Sequence, residues 1–490
     1  MKPTTITLVF TALCALFTAC STTPANEPMG SSNDERSIPI PVMQERIADI
    51  GAPEERDQLL DVFDRARIKL EKNPRDNDAW LRMSEAFITE ARITGNYGYN
   101  YGEAIRILDH LLAQRGSNKD MKSQALTLKA TILLSEHKFD EALVLGKEAV
   151  RMDPYRAYNY GVLVDAYTEL GQYDSAVAMC DKMVSIRPDL RSYSRVSYQR
   201  EIHGDIPGAI DAMDRAVKAG ATGLEETSWC RVQLGGLFER SGDLDKAEEQ
   251  YALALAERKN YPFALAALGR LHRKRGDLKS SAEELARAIA IMPDAHFYTE
   301  LARTCRAAKN TEGYAAAVAK AEAVLIGLGS GQDAPTHAHA HGDDTHDHGH
   351  AHSDGEHARA HGEKAAAPMA KAHGHSHEVG LEMARFELEF HKDLPVALSN
   401  AQHEFEHREA NIDVNAALAA IYCAKGEFGA ARMHLSLARK TGSADASLMM
   451  LEGLMAVKEG DNEGRSLIRK AFKTDPWLQH PFAEEAKGMI

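Results

Sequence analysis

A chain of 490 residues and 53.8 kDa exceeds what one ordinary core organises, so it is built as several domains or as an array of repeats. With 44% hydrophobic and 27% charged residues it is globular, neither disordered throughout nor a multi-pass membrane protein. The 58 basic against 72 acidic residues leave a net charge of −14, which excludes a general nucleic-acid binder whose affinity rests on neutralising phosphates.

The N-terminus reads as a secretory signal. Lys2 supplies the positive start, and Ile6–Phe17 gives an apolar run too short to span a bilayer. The run ends Leu16-Phe17-Thr18-Ala19-Cys20 and resembles a bacterial lipobox, with residues 1–19 as signal peptide and Cys20 as the lipidated residue. Phe17 stands where an aliphatic residue is usual, and an ordinary cleavable signal with a coincidental cysteine is the alternative. Several acyl chains would anchor the protein stably in a membrane. Ser21, rather than Asp, follows Cys20, so the resemblance implies the outer membrane of the cell envelope. Residues 20–54, rich in Ser, Thr, Pro, Asn and Gly over 21–41, are expected to form a flexible tether.

From residue 55 the text repeats. Glycines at Gly171, Gly204, Gly242 and Gly276 are spaced by about one helix pair, and Gly426 and Gly460 repeat the interval later. Ala176, Ala209 and Ala247 follow five places after the first three, and Ser281 takes the fourth place; Pro154, Pro188 and Pro293 close units. The clearest unit reads Tyr160-x₂-Leu163-Val164-x₂-Tyr167, Gly171, Ala176-x₃-Cys180, Pro188. Others read Leu234-Gly235-x₂-Phe238, Gly242-Asp243, Ala247-x₃-Tyr251, and Leu268-Gly269-x₂-His272, Gly276-Asp277, Ser281-x₃-Leu285. These marks resemble the tetratricopeptide repeat, in which small residues let two helices of a unit approach and large ones fill the space between units. Trp80-x₂-Met83-Ser84-x₂-Phe87 opens an early unit whose second helix is expected late, after a Tyr/Gly/Asn loop over 95–102. That loop either presents aromatics to a partner or is merely long.

The resemblance implies an all-α, right-handed α-α superhelix, with seven units over 55–328 and three over 379–490, the two segments joined by a disordered His-rich linker over 329–378. It also implies a protein-binding groove on the first helix of each unit. The matching positions include Tyr158, Asp165, Arg191, Tyr198, Trp229, Glu239, Phe263, Arg270 and Arg273, aromatic and arginine types that often dominate binding energy. Packing between repeats is the competing role for each aromatic. The paired Lys/Asn arrangement with which some repeats of this family hold a C-terminal carboxylate is missing from these positions. The sequence has no Gly-rich phosphate loop and no serine elbow, and the expectation is a non-enzyme. Cys180, Cys230, Cys305 and Cys423 stand far apart without a CxxC and are expected to be buried single thiols.

Of the 22 histidines, 12 fall within residues 332–378. Three runs alternate histidine with one other residue: His337, His339, His341; His346, His348, His350, His352; and His373, His375, His377. Residues two apart in an extended chain project to one side, so two or three imidazoles can converge on one ion. Neutral imidazole suits Zn²⁺, Ni²⁺, Cu²⁺ and Co²⁺. Without thiols such sites are labile, fitted to gathering or buffering metal, with no metal required for the fold. A soluble or pH-responsive spacer is the alternative. In composition the segment is similar to loops of periplasmic zinc-binding proteins and zinc transporters.

Beyond it, His403-Glu404-Phe405-Glu406-His407 matches the zinc-peptidase pattern H-E-x-x-H. Its place on a second helix of a repeat and its charged surroundings argue against catalysis; an auxiliary metal contact through His403, His407 and His391 and a solvated helix face are the other readings. Arg465 stands where the small residue of the last unit is expected. Two functions remain: an envelope scaffold that binds a protein partner, is held to lipid by acylated Cys20 and gathers transition metal, or a plain assembly adaptor with the histidine run as spacer.

Overall fold

The computed structural model describes residues 38–46, 50–114, 118–329, 379–443 and 445–490. Every regular element among them is a helix. After α1 (Pro53–Lys72) come seven helix pairs: α2 (Asn77–Thr94) with α3 (Tyr97–Ala113), α4 (Lys119–Ser135) with α5 (Phe139–Met152), α6 (Ala157–Glu169) with α7 (Tyr173–Ile186), α8 (Leu190–Ile202) with α9 (Ile206–Ala219), α10 (Glu225–Arg240) with α11 (Leu244–Glu257), α12 (Pro262–Lys274) with α13 (Leu278–Ile291), and α14 (Ala295–Ala307) with α15 (Thr311–Gly329). Three more pairs follow. The first is α16 (Gly380–Phe386), prolonged by a π-helical turn (Glu387–His391), with α17 (Leu394–His407). Then come α18 (Ile412–Lys425) with α19 (Phe428–Ala438) and α20 (Ala446–Lys458) with α21 (Gly464–Thr474), and a short α22 (Ala483–Lys487) ends the chain. Each helix packs on its neighbours in sequence, and first helices also touch the first helix of the next pair, the signature of a solenoid. Pro39–Ile490 forms one unit.

Local chemistry explains the pairs. In the Gly-Asp turns the glycine takes a left-handed backbone (φ +85° at Gly242, +84° at Gly276) that ends the first helix. The next residue then starts the second: Asp243 and Asp277 accept the backbone N–H groups of Lys246 and Ser280. Where the two helices cross, a Cβ on Gly235 would lie 2.3 Å from the Tyr251 ring, and one on Gly269 2.7 Å from Leu285. No other residue allows that approach. Large side chains fill the remaining space: Trp80 is fully buried and its indole N–H donates to the Pro74 carbonyl at 2.9 Å.

Three expectations change. Residues 97–102 are not a loop but the first turns of α3. Their aromatics explain why a Gly-containing stretch stays helical: Tyr97 packs on Tyr101, Tyr101 is buried, and the Tyr99 hydroxyl donates to the Val42 carbonyl at 2.6 Å. The small residue of the last pair is Gly464, one place before Arg465, facing Gly453 so closely that a Cβ on either would fall within 2.6 Å of the other's carbonyl oxygen. The tether does not reach residue 54. Met43 and Ile50 are buried, Arg46 and Arg56 both grip Glu90, and Ile50 joins a core cluster with Leu265, Leu285 and Phe297.

Helices α15 and α16 pack as consecutive elements although residues 330–378 intervene. Val379 and Phe386 share a core cluster with Ala302, Ala317, Ala321 and Leu325.

Candidate functional site

The first helices are stitched along one face by a ladder of arginines and carboxylates, each rung joining adjacent repeats. Arg195 on α8 pairs with Asp165 on α6 (2.6 Å), and Arg191 pairs with Glu226 on α10. Glu239 on α10 accepts from Arg270 and Lys274 on α12, both at 2.9 Å. Arg273 pairs with Glu300 on α14. Arg303 then holds Glu300 at 2.7 Å on one side and Glu389 of the π-turn at 2.6 Å on the other, with Arg306 adding a bond to Glu389 at 3.1 Å. Burial raises the pKa of Glu239, but Arg270 and Lys274 outweigh it and pull the carboxyl down to about 2. Glu300 is likewise depressed: Arg303 and Arg273 overcome its burial. These carboxylates stay ionised and the rungs stay charged at any physiological pH.

This ladder decides what the expected groove residues do. Arg191, Arg270 and Arg273 are rungs, with Asp165 and Glu239 among their acidic counterparts. Tyr158 is half-buried beneath the Arg191 guanidinium, 4.5 Å from its ring centre. Phe263 packs edge-on against Phe297 at 5.7 Å. Tyr198 and Trp229, on successive first helices, keep 40% and 37% of their surface. Burial of the Tyr198 hydroxyl raises its pKa, and the carboxylates of Asp413, Glu169 and Glu201 raise it further. The Tyr198 ring therefore stands part-exposed beside these carboxylates. The ladder was missed in the sequence, although opposite charges spaced by about one repeat, such as Asp165 with Arg195 and Glu239 with Arg270, carry its signal.

Both ends of the unit fold onto this stack. Glu55 at the start of α1 is buried against Arg258, 2.7 Å away, and accepts the Glu225 backbone N–H at 2.9 Å. From the other end Arg408 reaches Glu169 at 2.7 Å, Tyr173 accepts the Ile412 N–H at 2.9 Å, and Lys440 donates to the Gly171 carbonyl at 2.6 Å. A Cβ on Gly171 would sit 2.3 Å from the Ala410 carbonyl oxygen, so this turn glycine also admits the C-terminal repeats. Burial and the nearby carboxylates of Asp413, Asp165 and Glu382 push Glu169 up to about 7 against the opposing pull of Arg408.

The H-E-x-x-H segment lies at the end of α17. His403 and His407 are exposed and their rings meet edge-on at 5.1 Å. Glu404 is buried and bound to Arg408 at 2.9 Å, turned away from them. His391 gathers instead with Glu322 and Glu387, the three donor atoms lying within 4.8 Å of one another. Cys180, Cys230, Cys305 and Cys423 are buried and unpaired; burial pushes the Cys180 and Cys423 thiols up to about 11 and Cys230 up to about 12, which leaves them unreactive at neutral pH. Cys20 and the ten histidines of the three runs between His337 and His377 lie outside the described residues. No helix among the described residues is long and apolar enough to cross a membrane.

Residues 133–196, from α4 into α8, match the tetratricopeptide repeat family. No curated protein matches the chain. Similar solved structures include the APC/C hetero-tetramer Cut9–Hcn1, at 14% identity and TM-score 0.45 over 75% of this chain and 60% of that one. The type IV pilus biogenesis factor PilW is similar at 16% identity and TM-score 0.37, over 43% of this chain and 96% of that one. A tetratricopeptide repeat protein from Parabacteroides merdae is similar at 17% identity and TM-score 0.37, over 50% and 92%. This chain spans 60% of the length of the first of these. Small residues at helix crossings, Gly-Asp turns and paired stacking continue on both sides of the matched segment, so the fold is a stack of helix pairs of the tetratricopeptide-repeat type, with the family match itself confined to residues 133–196.

Proposed function

We propose that this chain is a membrane-tethered scaffold of the bacterial envelope, which binds a protein partner along its first helices and gathers Zn²⁺, Ni²⁺ or Cu²⁺ through the histidines of residues 332–378. Repeat stacks of this fold are protein-interaction scaffolds, typically without catalysis of their own. Acylated Cys20 is the anchor in this reading. Tyr198 and Trp229 are the partner-facing aromatics, since the expected arginines are engaged in the ladder.

The observation that carries the metal half of this reading is the alternation of histidine with one other residue in the three runs between His337 and His377. The described residues on either side of the insertion pack on one another through Arg303 and Glu389, and in this reading the histidines between them are the metal donors. A plain adaptor with the run as spacer shares that packing, and metal uptake separates the two. For the partner half, capture from an envelope extract is compared between the wild-type protein and its Tyr198→Ala and Trp229→Ala variants. Loss of the same bound protein in both variants, with helicity retained, is the expected result; unchanged capture by both contradicts it.

A further inference from the structure

Glu387 is a carboxylate out of keeping with the rest of the protein. Its side chain is only 9% exposed, between Glu300 at 2% and Glu389 at 12%, yet no arginine or lysine among the described residues pairs with it. Its partner is His391, one π-turn further on, whose Nδ1 lies 3.1 Å from one carboxylate oxygen and 3.3 Å from the other. The Nε2 of the same ring points to Glu322 on α15, 3.9 Å away, whose carboxylate likewise pairs with no arginine or lysine among the described residues. Two carboxylates thus flank one imidazole. A buried anion without a cation is costly, and elsewhere in this protein the cost is met by arginine.

We propose that Glu322, Glu387 and His391 form a divalent-cation site, of the class that takes Zn²⁺ or a similar first-row ion, bridging α15 and the π-turn at the root of the histidine insertion. The donor set suits that class: one imidazole nitrogen and carboxylate oxygens. Glu387 fixes the ring through Nδ1, as carboxylates commonly do behind a metal-bound histidine, and leaves Nε2 and Glu322 to face the ion. Donors bonded to one tetrahedral ion at about 2.1 Å stand roughly 3.4 Å apart. The 3.9 Å gap between Nε2 and Glu322 closes by rotating the part-exposed Glu322 side chain, 39% accessible. The ring itself is braced edge-on against Phe386 at 5.0 Å. The π-turn brings these residues together, and Lys392 ends it with a left-handed φ of +61° and a backbone N–H to the Glu387 carbonyl at 2.6 Å. Turns of this kind recur at functional sites. The remaining positions on the ion go to water, so it exchanges readily. The site goes beyond the proposed function: it needs no residue of the histidine segment and stands if that segment binds nothing.

Hydrogen exchange measured with and without Zn²⁺ tests it in the full chain. An ion bound only when α15 and the π-turn are packed slows local opening by about the ratio of free Zn²⁺ to its dissociation constant, so a tenfold excess gives roughly tenfold slower exchange. The expected result is slowing in peptides covering 311–327 and 380–392 of the wild-type protein. It persists when the ten histidines of the three runs are replaced by alanine and is lost in Glu322→Gln and in His391→Gln. Glu322 is part-exposed, so its variant keeps the fold, checked by unchanged exchange in α6 and α7. No slowing in the wild-type protein, slowing retained in both single variants, or slowing lost with the ten alanines would each overturn the site. Metal uptake lost with the ten alanines while the slowing persists bears on the histidine segment alone.

Discussion

Arg303 on α14 grips Glu389 on the π-turn through two bonds, Nη2 to Oε2 at 2.6 Å and Nε to Oε1 at 3.0 Å, across the whole histidine insertion. A rung of this kind couples one unit of the stack to the next, so breaking it weakens that junction. Replacing Glu389 with Gln leaves Arg303 and Arg306 short of an anion beside a part-buried face. Loss of about 3 kcal/mol is expected at this junction. Urea unfolding followed by helicity should show the last three pairs melting ahead of the first seven, whereas a single unchanged transition would show that the rung carries no weight.

The turn glycines are not equivalent. Gly242 has φ +85° and nothing near its missing Cβ, whereas Gly171, φ +69°, faces the Ala410 carbonyl oxygen at 2.3 Å. Gly242→Ala carries only the left-handed backbone strain, about 1–2 kcal/mol. Gly171→Ala carries the same strain and also displaces the C-terminal repeats. Thermal unfolding should fall further for Gly171→Ala, with faster hydrogen exchange over 408–415; equal effects would remove the packing role assigned to Gly171.

Glu169 sets a pH dependence of definite sign. Its carboxyl is raised to about 7 in the folded protein by burial and neighbouring carboxylates, against an ordinary value of 4.5. Between these values the folded chain holds a proton that the unfolded chain has released, so this group adds stability as pH falls from about 7 to about 4.5 and adds none above 7. In Glu169→Gln that contribution should vanish. Comparing unfolding midpoints of the two proteins at pH 5 and pH 8 checks it; parallel pH profiles would contradict it.

Glu404 is structural. Since it is bound to the buried Arg408 and turned away from His403 and His407, Glu404→Gln should leave any background peptide hydrolysis unchanged while lowering stability by about 1–2 kcal/mol. A fall in hydrolysis without a fall in stability would restore the peptidase reading.

Much of the fold was legible because its determinants are local. A glycine ends one helix and the following Asp caps the next, and both sit within one turn, as at Gly242-Asp243. The small residues at Gly235 and Gly269 mark helix crossings for the same reason. The 97–102 segment misled because its Tyr, Gly and Asn content suits a loop; its helix is held by residues far away, such as Val42. Gly171 showed as a turn, but its contact with Ala410 depends on how the repeats curve, which no spacing records. Of the expected groove positions, Tyr198 and Trp229 keep exposed surface, whereas the arginines serve repeat-to-repeat pairing, a role that depends on the neighbouring helix and not on the position alone. Glu322 and His391 sit on opposite sides of the insertion, and only the closed stack brings them together.

Calorimetric titration tests the proposed metal-gathering role of the histidine segment. Zn²⁺ and Ni²⁺ are titrated into the full chain and into the full chain with His337, His339, His341, His346, His348, His350, His352, His373, His375 and His377 replaced by alanine. The wild-type protein is expected to take up several more ions than the variant, while circular dichroism and thermal unfolding of the two metal-free proteins coincide. Equal uptake by both proteins would contradict it and leave the segment as a spacer.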